Sequence, residues 1–207
     1  MHLPNHRIKY ALFIAVVYLS GCTTIATQPK PASTSKPSVL HKQHMEHIAN
    51  IQQFSLKGRF GVTTSPKNFS ARLAWQHTQE KDNIDIYSPI GGKVANIVKT
   101  SEQVTLTDNG KKTIEAKDAE TLTEKTLGFR LPLSGLSYWV LGKPSETGLV
   151  NAVTWDEFGR INRLQQSGWD IQYKNYTETA GYYLPKKVTL KNEKMTLKFI
   201  IEKWTGL

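Results

Sequence analysis

Few residues in this sequence are spaced for chemistry. The sharpest is Cys22, the only cysteine in 207 residues. A lone thiol offers no disulfide, so it must be reactive, modified or structural. His41, His44 and His47 invite a metal reading, but their i, i+3, i+6 spacing drifts around a helix. No carboxylate or Cys completes a ligand set, and they read as a solvated helix face. His77 stands near a strand end with no orienting motif. Asp82 and Asp85 flank Ile84, and Asp156-Glu157 sits at a turn edge; all four acids read as solvated. HExxH, GxSxG, P-loop and GxGxxG patterns do not occur. The expectation is a protein that is not an enzyme and holds no metal.

The context of Cys22 gives it a use. It follows Leu19-Ser20-Gly21, and Ala11–Leu19 in front is a nine-residue apolar run. Arg7 and Lys9 supply a basic head. Together these describe a secretory signal peptide, too short for the roughly 20 apolar residues of a membrane span. A Cys directly behind Leu-Ser-Gly matches the bacterial lipobox. That match implies diacylation of the thiol, cleavage before it and acylation of the new terminus, so the only cofactor expected is a covalent lipid on Cys22. The bland alternative is a plain signal peptide that happens to precede a cysteine. Thr23, rather than Asp, points by resemblance to the outer membrane.

The chain from Cys22 has 186 residues, one domain's worth. The formal charge of +10 falls to +8 once Arg7 and Lys9 are gone. A basic exported domain suits anionic headgroups or acidic partner surfaces. Export and the lack of any Lys/Arg-rich run argue against nucleic acid.

The elements follow in order. Residues 1–21 are the signal. Residues 22–38, rich in Thr, Ser, Pro and Lys, form an acylated flexible tether. The domain occupies 39–207 and opens with a helix over about 39–52. From Phe54 the apolar period becomes two, the mark of half-buried antiparallel strands. Six strands run to Ala116, with Asp108-Asn109-Gly110 as a turn. Asp118 caps a helix over about 119–127 that Gly128 stops. A second short helix spans Ser134–Leu141, its apolar residues placed to plug something apolar. Five more strands follow, and Pro185 is expected at the start of the tenth. This is a mainly β chain of about eleven strands, a curved sheet wrapped around a helical insert.

Ser88-Pro89-Ile90-Gly91-Gly92 interrupts the strand pattern. Pro presets φ and Gly permits a sharp turn. Ile90 then either folds back into the core or stands bare at a turn tip.

Several segments together resemble the outer-membrane lipoprotein receptor family LolB. They are the lipobox, Phe54-Ser-Leu-Lys-Gly-Arg-Phe60, Phe69-Ser-Ala-Arg-Leu-Ala-Trp75 and Ser88-Pro-Ile-Gly91. Further along come Leu131-Pro-Leu-Ser-Gly-Leu136 with Trp139, Leu141-Gly-Lys-Pro144, Gly168-Trp-Asp-Ile-Gln-Tyr173, Leu184-Pro185 and Trp204. The resemblance implies an unclosed antiparallel β-barrel of eleven strands with a helical lid and an N-terminal helix, enclosing an apolar cavity. Acyl chains would lie against Phe60, Phe69, Leu73 and Trp75, then Ile84 and Ile86. Leu136, Trp139 and Trp155 would complete the walls. The implied role is to take lipoproteins from the periplasmic carrier LolA and place them in the outer membrane, as a lipid-anchored monomer on the periplasmic face. The implied partners are LolA, acylated cargo and outer-membrane phospholipid. Pro89, Ile90 and Gly91 match a protruding membrane-insertion loop that commonly carries Leu. The competing expectations are a structural or assembly lipoprotein without lipid cargo, and a hydrolase with an unrecognised site.

Overall fold

The computed structural model describes residues 36–65 and 68–207. The signal run, Cys22 and most of the expected tether lie outside them. From Ser35 to Leu207 the chain forms one compact unit with its own core. Helix α1 spans Pro37–Ala49, starting and ending slightly earlier than expected. Pro37 suits the first turn, where its missing N–H is one of the unpaired donors anyway.

Eleven strands make one antiparallel sheet. They are β1 Phe54–Thr64, β2 Asn68–His77, β3 Asp82–Tyr87, β4 Lys93–Lys99, β5 Val104–Asp108 and β6 Thr113–Ala116. After the helices come β7 Val150–Trp155, β8 Ile161–Gln166, β9 Trp169–Thr179, β10 Tyr182–Lys191 and β11 Met195–Gly206. The order is β6-β5-β4-β3-β2-β1-β11-β10-β9-β8-β7, so the sheet is not closed and its edges are β6 and β7. The first and last strands pair at its centre. Their fit depends on Gly58: a Cβ there would stand 2.4 Å from the Ile200 carbonyl, where a register shift presses β11 against β1.

Period-two alternation holds where it decides the fold. Leu56, Gly58, Phe60 and Val62 of β1 are buried, while Lys57 and Arg59 are exposed. Pro185 departs from expectation and lies inside β10, paired with Tyr176. β10 meets β11 only from Lys187 onward, so the ladder toward β11 lacks no donor at position 185.

Two helices cover the concave face. α2, Ala119–Leu127, is capped by Asp118, whose carboxylate accepts from Thr121 N at 2.6 Å. It ends on Gly128 at φ 81°. α3 spans Leu133–Trp139, shorter than expected, because Val140–Gly142 close into a turn with Gly142 N donating to Trp139 O. Thr123 joins the helices: its hydroxyl donates to Ala119 O and accepts from Leu131 N, both at 2.8 Å. Leu122, Leu133, Leu136 and Trp139 belong to the same apolar core as the strands.

Candidate functional site

Alternation points every second residue of β1, β2 and β3 into the concavity. Phe60, Leu73, Trp75, Ile84 and Ile86 meet there, with Leu136 and Trp139 descending from α3; all seven are no more than 6% exposed. Their side chains fill the interior. Phe60 stacks against Phe199 at 5.9 Å, and Trp139 meets Trp169 at 6.5 Å. Gly135 makes room for Trp139, since a Cβ would lie 2.6 Å from its ring.

Two expected cavity residues stand apart. Phe69 shares the inward phase of β2 but is 39% exposed, at the rim beside Phe60. Trp155 is half-buried and stacks on His41 of α1 at 4.4 Å, away from the other seven. Near the rim, a cleft of about 820 Å³ runs between the hairpin at Thr64-Ser65 and the end of α2 at Gly128–Arg130. Trp169 and Met195 form its apolar floor.

The β3–β4 loop is rigid and bare. Gly91 N donates to Ser88 O and Ser88 N to Gly92 O, both at 3.0 Å. Ser88 Oγ also donates to the Gly91 carbonyl. Gly91 and Gly92 sit at φ 104° and 82°, which L side chains avoid. Ile90 is 98% exposed at the tip.

Polar groups fix the frame, and sequence reasoning missed most of them. Asp82 is buried rather than solvated, at 4% exposure. It accepts from Trp75 Nε1 at 2.9 Å and His77 Nδ1 at 2.6 Å, and pairs with Lys99 at 3.5 Å. The signal was present, because period two puts Asp82 in phase with Ile84 and Ile86. Gln166, fully buried, accepts from Trp139 Nε1 at 2.9 Å and Ser145 N at 2.8 Å, and donates to Ser145 O at 2.8 Å. It ties α3 and the segment after it to β8. It too follows an apolar phase, after Leu164.

Two of the three α1 histidines, His41 and His44, pack rather than face solvent, while His47 stays exposed as expected. His41 Nδ1 bonds to Gly159 O at 2.8 Å, and His47 Nε2 lies 3.2 Å from Gly181 O. His44 packs edge-on against Tyr176, and its Nε2 is buried with no hydrogen-bond partner among the described residues. Burial, followed by the nearby Arg160 guanidinium, pulls His44 down to about 4. Gly159 permits the dock, since a Cβ would lie 2.3 Å from His41 N. The buried Tyr173 hydroxyl also lacks a partner among the described residues, and burial raises its pKa well above the usual phenol value.

Residues 52–204 match the family model described as outer membrane lipoprotein LolB. The outer-membrane lipoprotein LolB of Nitrosococcus oceani is 29% identical over 193 residues, 93% of this chain and 94% of the relative. That of Pseudomonas paraeruginosa is 29% identical over 200 residues, 95% and 97% of the two chains. Among solved structures, a LolA superfamily protein from Nitrosomonas europaea aligns with a TM-score of 0.51 at 9% identity. It covers 82% of this chain and 93% of its own. A lipoprotein-sorting protein domain from Vibrio parahaemolyticus aligns with a TM-score of 0.50 at 9% identity, over 82% of this chain and 92% of its own. At that identity the two structures speak for the fold.

Proposed function

We propose a role built on one established premise: the chain belongs to the LolB family of outer-membrane lipoproteins. In this reading it accepts acylated lipoproteins from a soluble LolA-type carrier, shelters their acyl chains against the concave face and releases them into the outer membrane. Cys22 carries the lipid that anchors the domain. The reading rests on Ile90, a bulky apolar residue 98% exposed on a loop held by its own hydrogen bonds. It contributes nothing to the core, and on a loop fixed by hydrogen bonds it is available to an apolar phase outside the molecule.

The interior is filled in this form, so acyl chains enter as α2 and α3 shift from the concave face. The cleft between Thr64-Ser65 and the end of α2, lined by Trp169 and Met195, is the proposed mouth. Each buried CH₂ contributes about 0.8 kcal/mol, so cargo passes from one apolar shelter to the next without a chemical fuel. The filled interior also favours a second reading, a scaffold lipoprotein without lipid cargo. Transfer from a cargo-loaded carrier to the purified protein separates the two.

Ile90→Glu tests the loop. We expect normal folding and cargo acceptance, with delivery to liposomes reduced by at least about ten-fold, the equivalent of roughly 1.4 kcal/mol. Delivery at the parent rate would sink the loop assignment. Failure of the parent to accept cargo would sink the receptor reading and leave the scaffold.

A further inference from the structure

Strand pairing lines up a cationic row across the outer face of the sheet. Arg72 on β2 stands opposite Arg59 on β1, and Arg59 opposite Ile200 on β11. Ile200 stands opposite Lys187 on β10, and Lys187 opposite Lys174 on β9. All five are exposed. At about 4.8 Å per strand, the row spans about 20 Å. Lys198 follows in the neighbouring outward row, opposite Gly61 and Thr189. Of the three acids on these strands, Glu202 is held by Arg59 at 2.7 Å and Asp170 by Arg163 at 2.8 Å; Glu178 lies toward the far end of β9, opposite Tyr183, whose hydroxyl donates to it at 3.4 Å. Lys174, Lys187 and Lys198 have no ion-pair partner among the described residues.

The loop that carries Ile90 turns toward this same face. Gly91 borders a shallow depression of about 220 Å³ together with Lys57, Arg72, Tyr87 and Glu202. Ile200, in the middle of the row, is itself 39% exposed. One side of the molecule therefore carries a broad array of cations, an apolar residue among them and a bare apolar tip at its border. A bilayer supplies the matching pattern, with anions in the plane and hydrocarbon beneath. Its mobile headgroups need no fixed mate for each lysine.

We propose that the outer face of β9, β10, β11, β1 and β2 is a binding surface for anionic phospholipid headgroups. It lays the half-barrel along the membrane with Ile90 directed into it. Only the orientation rests on the membrane reading of Ile90; the attraction comes from the cations, each worth roughly a five-fold gain in partitioning near an anionic surface.

The test uses the chain from residue 22 with Cys22→Ala, so that no acyl anchor masks the domain's own affinity. Its compact unit from Ser35 retains the whole described core. Co-flotation is measured with vesicles of phosphatidylcholine alone and of phosphatidylcholine mixed with phosphatidylglycerol. We expect Lys174→Glu, Lys187→Glu and Lys198→Glu together to weaken binding to the mixed vesicles by more than about 100-fold, the loss that removing three cations alone would bring, with little change on phosphatidylcholine. The triple Gln variant should shift in the same direction by less, and it covers the case of a misfolded Glu variant. Parent-like binding of both variants to mixed vesicles overturns the proposal, as does an equal loss on both vesicle types. Cargo acceptance from a loaded carrier, without vesicles, should be unchanged in the triple variant. A matching loss there would make the face an acidic-protein dock and overturn the proposal. If the parent accepts no cargo yet binds mixed vesicles through these lysines, the receptor reading falls and this one stands.

Discussion

The two ends of β3 are opposites. At its start, Asp82 is buried and held by Trp75, His77 and Lys99. Just past its other end, Ile90 stands almost wholly in water. Each is a costly placement in isolation: a carboxylate out of water, and a butyl group in it. The first is offset internally, since three partners satisfy the carboxylate. The second has no internal offset, because glycines and backbone hydrogen bonds stiffen the turn without covering the side chain. The first cost is compensated within the fold and belongs to stability; the second is the one that the proposed membrane contact would offset.

The contrast can be broken most directly at Asp82. Asp82→Ala strands Trp75 Nε1 and Lys99, and should cost about 3 kcal/mol, read as a lower urea midpoint with an unchanged slope. Ile90→Glu should move that midpoint hardly at all, within about 0.5 kcal/mol. Equal losses at the two positions would dissolve the contrast.

Acid tests how far the pinned end extends, because α1 leads into β1 beside it. His44 in the docked helix titrates near 4, against 6.5 when undocked. The undocked helix therefore binds the proton first, and docking is fully supported above about 6.5 and weakens as pH falls toward 4. Arg160, His41 and His47 add to that direction, Asp156 opposes it, and Tyr176 faces the ring. Faster amide exchange in α1 across this window, abolished in His44→Gln, is the expected outcome; a flat profile would detach α1 from the pinned region.

The backbone of the bare end should answer only to its own strain. Gly91→Ala meets no atom within 4 Å, so only the φ of 104° resists it. Its expected cost is about 1 kcal/mol by thermal melting. A cost comparable to that of Asp82→Ala would mean that the loop also carries the fold.

Most of the sheet was legible because burial on one face writes itself as period two, and the strands kept that period. At Asp82 residue type outweighed phase, and Gln166 shows the same pattern. Asp82 and Gln166 are polar residues on apolar phases, and each is a satisfied anchor. His41 and His44 read as solvated, yet they pack against Trp155 and Tyr176. Only tertiary structure brings those rings, over a hundred residues distant, to the helix. Phe69 keeps the inward phase but lies where the rim opens, and phase does not encode distance from an opening. For Ile90 the sequence left two outcomes, and the loop's hydrogen bonds decide between them.

The seam between β1 and β11 sets the order in which this molecule can assemble. The strand at the centre of the finished sheet is the first synthesised, and one of its two neighbours is the last. Until residue 206 is available, β1 has one open edge, and β2–β6 and β7–β10 are separate half-sheets. Closing that seam spans nearly the whole domain, the kind of long-range pairing that folds slowly. A nascent chain threaded through a narrow channel keeps its halves apart until the C-terminus emerges, and the architecture delays its own completion until passage is over.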